Sequence, residues 1–151
     1  MRVKQLLKKV QRDTITTGPD TTVSAAMDTL IDNGIGCLPV IDERDRLIGI
    51  VSDKDIFRKI HQTKGQYHDL KVRDLMNIEV IIGDPEDDLD YISGLMQQNW
   101  IRHVPIVVGE KIVGLISQRD IVKSETSYAK IENRYLRLYT EDINSRDRSS
   151  G

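Results

Sequence analysis

Residues 49–56 read GIVSDKDI, and residues 114–121 read GLISQRDI. Each stretch runs glycine, two aliphatic residues, serine, two polar residues, aspartate, isoleucine. The echo extends backwards in order. CLPVIDERDRLIGIVSDKDI (37–56) matches HVPIVVGEKIVGLISQRDI (103–121), pairing Pro39 with Pro105, Gly49 with Gly114, Ser52 with Ser117 and Asp55 with Asp120. The second copy is one residue shorter in its central turn. Further upstream, 18–36 matches 84–102 with Pro19 opposite Pro85, and VKQLLKKV (3–10) matches VRDLMNIEV (72–80), with a short insertion in the first copy. Copies of roughly 60 residues are too long for solenoid units, so the chain reads as a duplicated subdomain.

Each copy has the same local pattern. A short apolar segment (14–16; 80–82) precedes a proline-led turn and reads as a strand. A helix follows, with apolar residues on one face: Val23, Ala26, Met27 and Leu30, then Leu89, Ile92, Leu95 and Met96. Asp87, Asp88 and Asp90 lie near the second of these helix starts, where carboxylates suit the dipole. Strand, polar turn, strand then reads as a hairpin, and the serine opens a second helix. The expected class is α/β (α+β), with β-α-β-β-α in each copy. The expected boundaries are 3–62 and 72–124 for the copies, 63–71 for a linker, 125–143 for a C-terminal helix carrying Tyr128, Ile131, Tyr135 and Leu138, and 144–151 for a disordered tail.

Composition narrows the function. The chain has 151 residues, a formal charge of −2 and no basic stripe, which argues against a nucleic-acid partner. One cysteine, Cys37, excludes an internal disulfide and fits a reducing compartment. No apolar run approaches the roughly 18 residues of a membrane helix, and the N-terminus lacks the apolar core of a signal peptide. A cytoplasmic location without membrane insertion is expected. Glycine-x-serine-x-glycine, Cys-x-x-Cys, phosphate-loop and His-Glu-x-x-His motifs are absent, so no catalytic constellation and no metal site is expected.

The repeated Ser-x-x-Asp has two compatible readings. It is a capping box, in which Ser52 or Ser117 and Asp55 or Asp120 satisfy the first backbone N–H groups of a helix. It is also the start of a nucleotide site, where glycine admits a ligand to the backbone, the helix start favours an anion, and the aspartate accepts two ribose hydroxyls. Duplication favours the second without removing the first.

On GIVSDKD and GLISQRD, the Pro39 and Pro105 strands, the proline-led turns and NWIRHVPIV, residues 3–123 resemble a tandem pair of CBS domains, the domain named after cystathionine β-synthase. The resemblance implies two copies packed about a pseudo-twofold axis with two clefts between them, which in many members take adenosyl ligands. It implies ribose contacts from Asp55 and Asp120, ribose or phosphate contacts from Ser52 and Ser117, and base and phosphate contacts around Ile101, Arg102, His103 and Pro105 in one copy and Ile35, Gly36 and Cys37 in the other. The better cleft is expected to join Asp55 to Ile101–His103, with phosphates near Arg102 and His103. The other joins Asp120 to Thr16, Thr17, Gly36 and Cys37. Lys54 and Arg119 are candidate phosphate contacts or plain surface cations.

The resemblance therefore implies a regulatory protein that is not an enzyme and needs no cofactor. It would bind AMP, ADP or ATP between its copies, form a homodimer and act on an unidentified protein partner. Alternatives are a sensor of S-adenosylmethionine or NADH, and a dimerisation or interaction module that binds no ligand. Trp100 reads as a hydrophobic plug at a helix end in preference to a ring stacked on adenine. Cys37 reads as a small strand residue, and His61 and His68 as surface residues.

Overall fold

The computed structural model describes residues 1–125. The helix expected over 125–143 and the tail over 144–151 lie outside the described residues, save for Glu125. In chain order the elements are α1 (Val3–Val10), α2 (Val23–Asn33), β1 (Cys37–Ile41), β2 (Leu47–Ser52), α3 (Asp53–Gln62), a 3-10 turn (Val72–Asp74), α4 (Leu89–Asn99), β3 (His103–Val108), β4 (Lys111–Ser117) and α5 (Gln118–Ser124). This mixture of helices and small sheets is the expected class.

The two hairpins are copies of each other. β1 pairs antiparallel with β2, matching Cys37 to Ser52, and β3 pairs with β4, matching His103 to Ser117. Each ladder slips after the same position, Val40 or Ile106. The helix ahead of each hairpin starts on a side-chain cap. Thr22 Oγ1 accepts from the Ala25 N–H at 3.1 Å, and Asp88 Oδ1 accepts from the Asp90 N–H at 3.0 Å. The apolar faces fall as the periodicity requires: Val23, Ala26 and Leu30 are buried, as are Leu89, Ile92 and Met96.

The strands expected over 14–16 and 80–82 do not form. Each shrinks to a single parallel bridge, Thr17 with Val40 and Gly83 with Ile106. Proline explains both. Thr17 N–H donates to Pro39 O and Ile41 N–H donates to Thr17 O, each at 2.9 Å. The next rung towards the N-terminus needs an N–H on Pro39, and the next towards the C-terminus needs one on Pro19. Neither residue has one. Pro105 and Pro85 stop the ladder around Gly83 in the same way. All four prolines of the chain thus serve one purpose.

The units that pack are not the units that repeat in sequence. Val3 and Leu6 of α1 lie in one core with Leu89, Ile92, Met96, Val104, Ile106 and Ile116 of the second repeat. Val72, from the start of the second repeat, lies in the other core with Val23, Leu30, Leu38, Val40, Val51 and Ile56 of the first. The exchange is reciprocal down to single bonds. Val3 N–H donates to Asp87 O and Lys4 N–H to Pro85 O, both at 2.9 Å; Val72 N–H donates to Thr21 O at 2.8 Å and Arg73 N–H to Pro19 O at 2.9 Å. Glu86 pairs with Arg2 and Lys4, and Asp20 with Arg73. Residues 63–71 run back along the first core, where Val23 N–H donates to Leu70 O at 3.0 Å. Each repeat thus completes the other, which relates the halves by an approximate twofold.

The repeated glycines belong to this exchange. A Cβ on Gly114 would fall 2.5 Å from Leu7 Cδ2, and one on Gly49 would fall 2.9 Å from Met76 Sδ and 3.1 Å from Asn77 O. The segment that crosses from the other repeat occupies the space in both cases.

Candidate functional site

Both capping boxes form. Ser52 Oγ accepts from Asp55 N–H at 3.2 Å, and Asp55 Oδ2 accepts from the N–H and the hydroxyl of Ser52, each at 2.9 Å. Ser117 Oγ accepts from Asp120 N–H at 3.1 Å, and Asp120 Oδ2 accepts from Ser117 N–H at 2.8 Å. The two aspartates then part company. Asp120 is only 7% exposed. It is gripped by both ends of a guanidinium: Arg12 Nη1 donates to Oδ1 at 2.7 Å and Nη2 donates to Oδ2. The same Nη2 donates to Leu115 O at 3.0 Å. Nothing among the described residues donates to Oδ1 of Asp55.

Burial alone would push the Asp120 carboxyl up. The Arg12 guanidinium, then Ser117, outweigh burial and hold it below its ordinary value. Arg12 is correspondingly pushed up, first by its bond to Asp120.

Asp120 and Arg12 line a cleft of about 820 Å3 between the repeats. One wall is the first repeat's Arg12–Ile15 and Gly34–Cys37; the other is formed by Val113–Leu115, Ser117–Asp120 and Lys123 of the second. Asp53, Arg102 and His103 lie where the repeats meet. Arg102 Nη2 stands 3.9 Å from Asp53 Oδ1, and a Cβ on Gly36 would be 3.5 Å from both Asp53 Oδ2 and His103 Cε1. Burial, then the charge of Arg102, lower the His103 pKa, which keeps the imidazole neutral near pH 7. Burial, then the charge of Asp53, push the Cys37 thiol up to about 12.

Gly36, Cys37, Arg102, His103, Ser117, Arg119 and Asp120 therefore come together in one cleft. The grouping differs from the expected one, which put Arg102 and His103 with Asp55. The structure puts them beside Asp120, because residues 36–37 and 102–103 face each other across the twofold. Ser52, Lys54 and Asp55 stand outside this cleft. Thr17 carries the single bridge to Val40, and Thr16 beside it is outside as well; Thr14 and Ile15 line the wall instead. Pro105 is buried, and its carbonyl accepts from Gly83 N–H at 2.9 Å. Ile101 packs against the second core. Trp100 is no plug: it is 95% exposed, at a left-handed helix end with φ of 55°.

Sequence reasoning missed Arg12. The available signal was its register. Counted back from the bridging residues Thr17 and Gly83, Arg12 is the counterpart of Ile78, so the repeats differ there by a charge.

The CBS domain family model matches residues 3–62 and 72–126. The chain belongs to the CBS-domain family. It is 34% identical over 122 residues to inosine-5'-monophosphate dehydrogenase from Methanocaldococcus jannaschii, over 80% of this chain but only 23% of that enzyme. The CBS-domain-containing protein ATU1752 from Agrobacterium tumefaciens superposes with a TM-score of 0.78 at 28% identity, over 82% of this chain and 98% of that one. The CBS pair of protein MJ0100, solved with 5'-methylthioadenosine and S-adenosyl-L-methionine, gives a TM-score of 0.73 at 27% identity, over 82% of this chain and 94% of that one. Among the described residues, no helix of this CBS pair is long and apolar enough to cross a membrane.

Proposed function

We propose that this CBS pair is a regulatory sensor of an adenine nucleotide, AMP, ADP or ATP, and that it works as a cytoplasmic homodimer on a protein partner rather than as an enzyme. The observation that carries the reading is the Asp120 cleft. At about 820 Å3 it falls within the size range of small-molecule sites. It holds a buried carboxylate suited to a ribose diol, and Arg12, Arg102 and Arg119 suited to phosphate. The adenosyl ligands of the MJ0100 pair support the ligand class. The match to the dehydrogenase, confined to a minor part of that enzyme, supports a regulatory role over a catalytic one.

Two readings compete with it. The MJ0100 complex equally supports S-adenosylmethionine, and NADH shares the adenosyl group. An interaction module without a ligand is favoured by the exposed aromatics Trp100, at 95%, and Phe57, at 73%. Thermal unfolding against AMP, ADP, ATP, S-adenosylmethionine, NADH and GTP separates the three. A ligand at about 100 times its Kd adds roughly 2.7 kcal/mol, a shift of several degrees at this size. A shift with the adenine nucleotides is the expected result. A shift confined to S-adenosylmethionine or NADH reassigns the ligand, and no shift with any of them leaves the interaction module.

A further inference from the structure

We propose that Arg12 sets the ligand class of the Asp120 cleft by an exchange of partners: a ligand's vicinal diol takes Asp120 from Arg12, and an anionic group on the same ligand takes Arg12 in return. The inference rests on the adenosyl-ligand reading and deepens it. A carboxylate has about four acceptor sites. Three at Asp120 are filled, by Arg12 Nη1, Arg12 Nη2 and Ser117 N–H. A vicinal diol that binds through both hydroxyls donates two hydrogen bonds, and one site is left. The diol enters only if at least one arm of the guanidinium withdraws.

Withdrawal is costly for some ligands and not for others. A neutral nucleoside exchanges an ion-paired bond, charged on both sides, for one charged on the carboxylate alone, and leaves the withdrawn arm of the guanidinium to water. A ligand that also carries a phosphate restores a bidentate, charge-assisted partner to Arg12. Arg12 has room to turn, since its side chain is 48% exposed while the Asp120 side chain is 8% exposed. Arg102 and Arg119 line the same cleft and draw the anion to it. The Asp55 side is built differently. Both bonds that Asp55 accepts from Ser52 fall on Oδ2, and Arg12's counterpart is the apolar Ile78, which is 72% exposed. Among the described residues no cation is bonded to Asp55, so the exchange belongs to the Asp120 side alone.

The test is calorimetric titration of the full chain with AMP and with adenosine, for the wild type, Arg12→Gln and Arg12→Lys. In the wild type, AMP should bind at least about tenfold more tightly than adenosine, or adenosine should fill one site fewer. Arg12→Gln should bring the two ligands together, by tightening adenosine or adding a site for it, and by weakening AMP about tenfold. Arg12→Lys, which keeps the charge but loses the fork, should fall between them, and it carries the test if the glutamine variant melts below the assay temperature. An AMP-to-adenosine ratio that both variants leave unchanged overturns the role of Arg12 while the function stands. Failure of every adenine ligand to bind any of the three proteins overturns the proposed function, and this inference with it.

Discussion

Leu7 of the first repeat lies directly over Gly114 of the second, so close that a Cβ on the glycine would sit 2.5 Å from Leu7 Cδ2. Met76 lies over Gly49 in the mirror position, at 2.9 Å. The glycines that make the repeat visible in sequence therefore admit a neighbouring chain segment. Gly114→Ala and Gly49→Ala should each destabilise the ligand-free protein by about 1–3 kcal/mol, the usual range for overpacking a core. At about 2–4 °C per kcal/mol, thermal melting without ligand resolves the loss. Gly49→Ala should do more harm than its close contact with Met76 implies, because Asn77 O is backbone and cannot turn aside. Unchanged melting in both variants would return the glycines to a role in ligand approach.

The serines offer an independent check on the helix starts. Ser52 and Ser117 each accept from the N–H of the aspartate three residues on. Ser52→Ala should cost about 1 kcal/mol, the typical value of an N-cap. Ser117→Ala should cost a similar amount and should also loosen Asp120 against Arg12. Chemical denaturation at fixed slope measures both. Equal losses, with no change in the ligand response of the Ser117 variant, would confine both serines to capping.

The sequence pattern exposed more of the fold than of the site. Duplication, helix faces and hairpins follow from periodicity and from matched prolines and glycines, which are local signals. The failed strands at 14–16 and 80–82 also have a local cause, but it lies in the partner strand: Pro39 and Pro105 withhold the rung those apolar segments would need. The exchange of Val3 and Val72 between cores left no local trace, because each is an ordinary helix-start valine until the other repeat is in place. Arg12 was hidden for a related reason. Its partner Asp120 is 108 residues away, and it stands where the other repeat has an isoleucine, so a search for shared features passes over it.

Cys37 should report unfolding. The thiol is buried at the start of β1, and burial, followed by the charge of Asp53, pushes its pKa up to about 12. The thiolate is the reactive form, so a thiol reagent near pH 8 should modify the native protein very slowly. Modification should track global unfolding across a denaturant series. Fast labelling in native buffer would show that the centre of the cleft opens without unfolding.

His103 and Asp120 predict two steps of acid destabilisation. The folded pKa of His103 lies below its ordinary 6.5, through burial and then the charge of Arg102. The unfolded chain therefore takes up this proton first, and stability falls as pH drops below 6.5. Asp120 is held below its ordinary 3.8, so its contribution is present above that value and is lost as pH falls through the folded pKa. Melting temperature should decline between pH 7 and pH 5 in the wild type, and His103→Gln should flatten that decline while leaving the lower step in place. An identical slope in the variant would assign the upper step elsewhere.

Trp100 is the counterpart of Gly34, and both end a helix in the left-handed region, with φ of 55° and 59°. Glycine adopts that conformation without strain, whereas an L side chain there costs roughly 1–2 kcal/mol before the entropy of glycine is set against it. The ring, 95% exposed, gains almost no burial within this chain to offset the strain. Trp100→Gly should therefore stabilise the isolated chain, by roughly 0.5–1 kcal/mol. As the only tryptophan, Trp100 also carries its own readout. At low protein concentration its emission should be that of a water-exposed indole, readily quenched by iodide. If it anchors the proposed homodimer, raising the concentration should shift the emission to the blue and shield it from iodide, and Trp100→Gly should weaken association while raising the melting temperature of the dilute protein. Emission that stays water-like at every concentration, with unchanged sedimentation in the glycine variant, would remove Trp100 from the dimer contact and leave its exposed ring to a different protein partner.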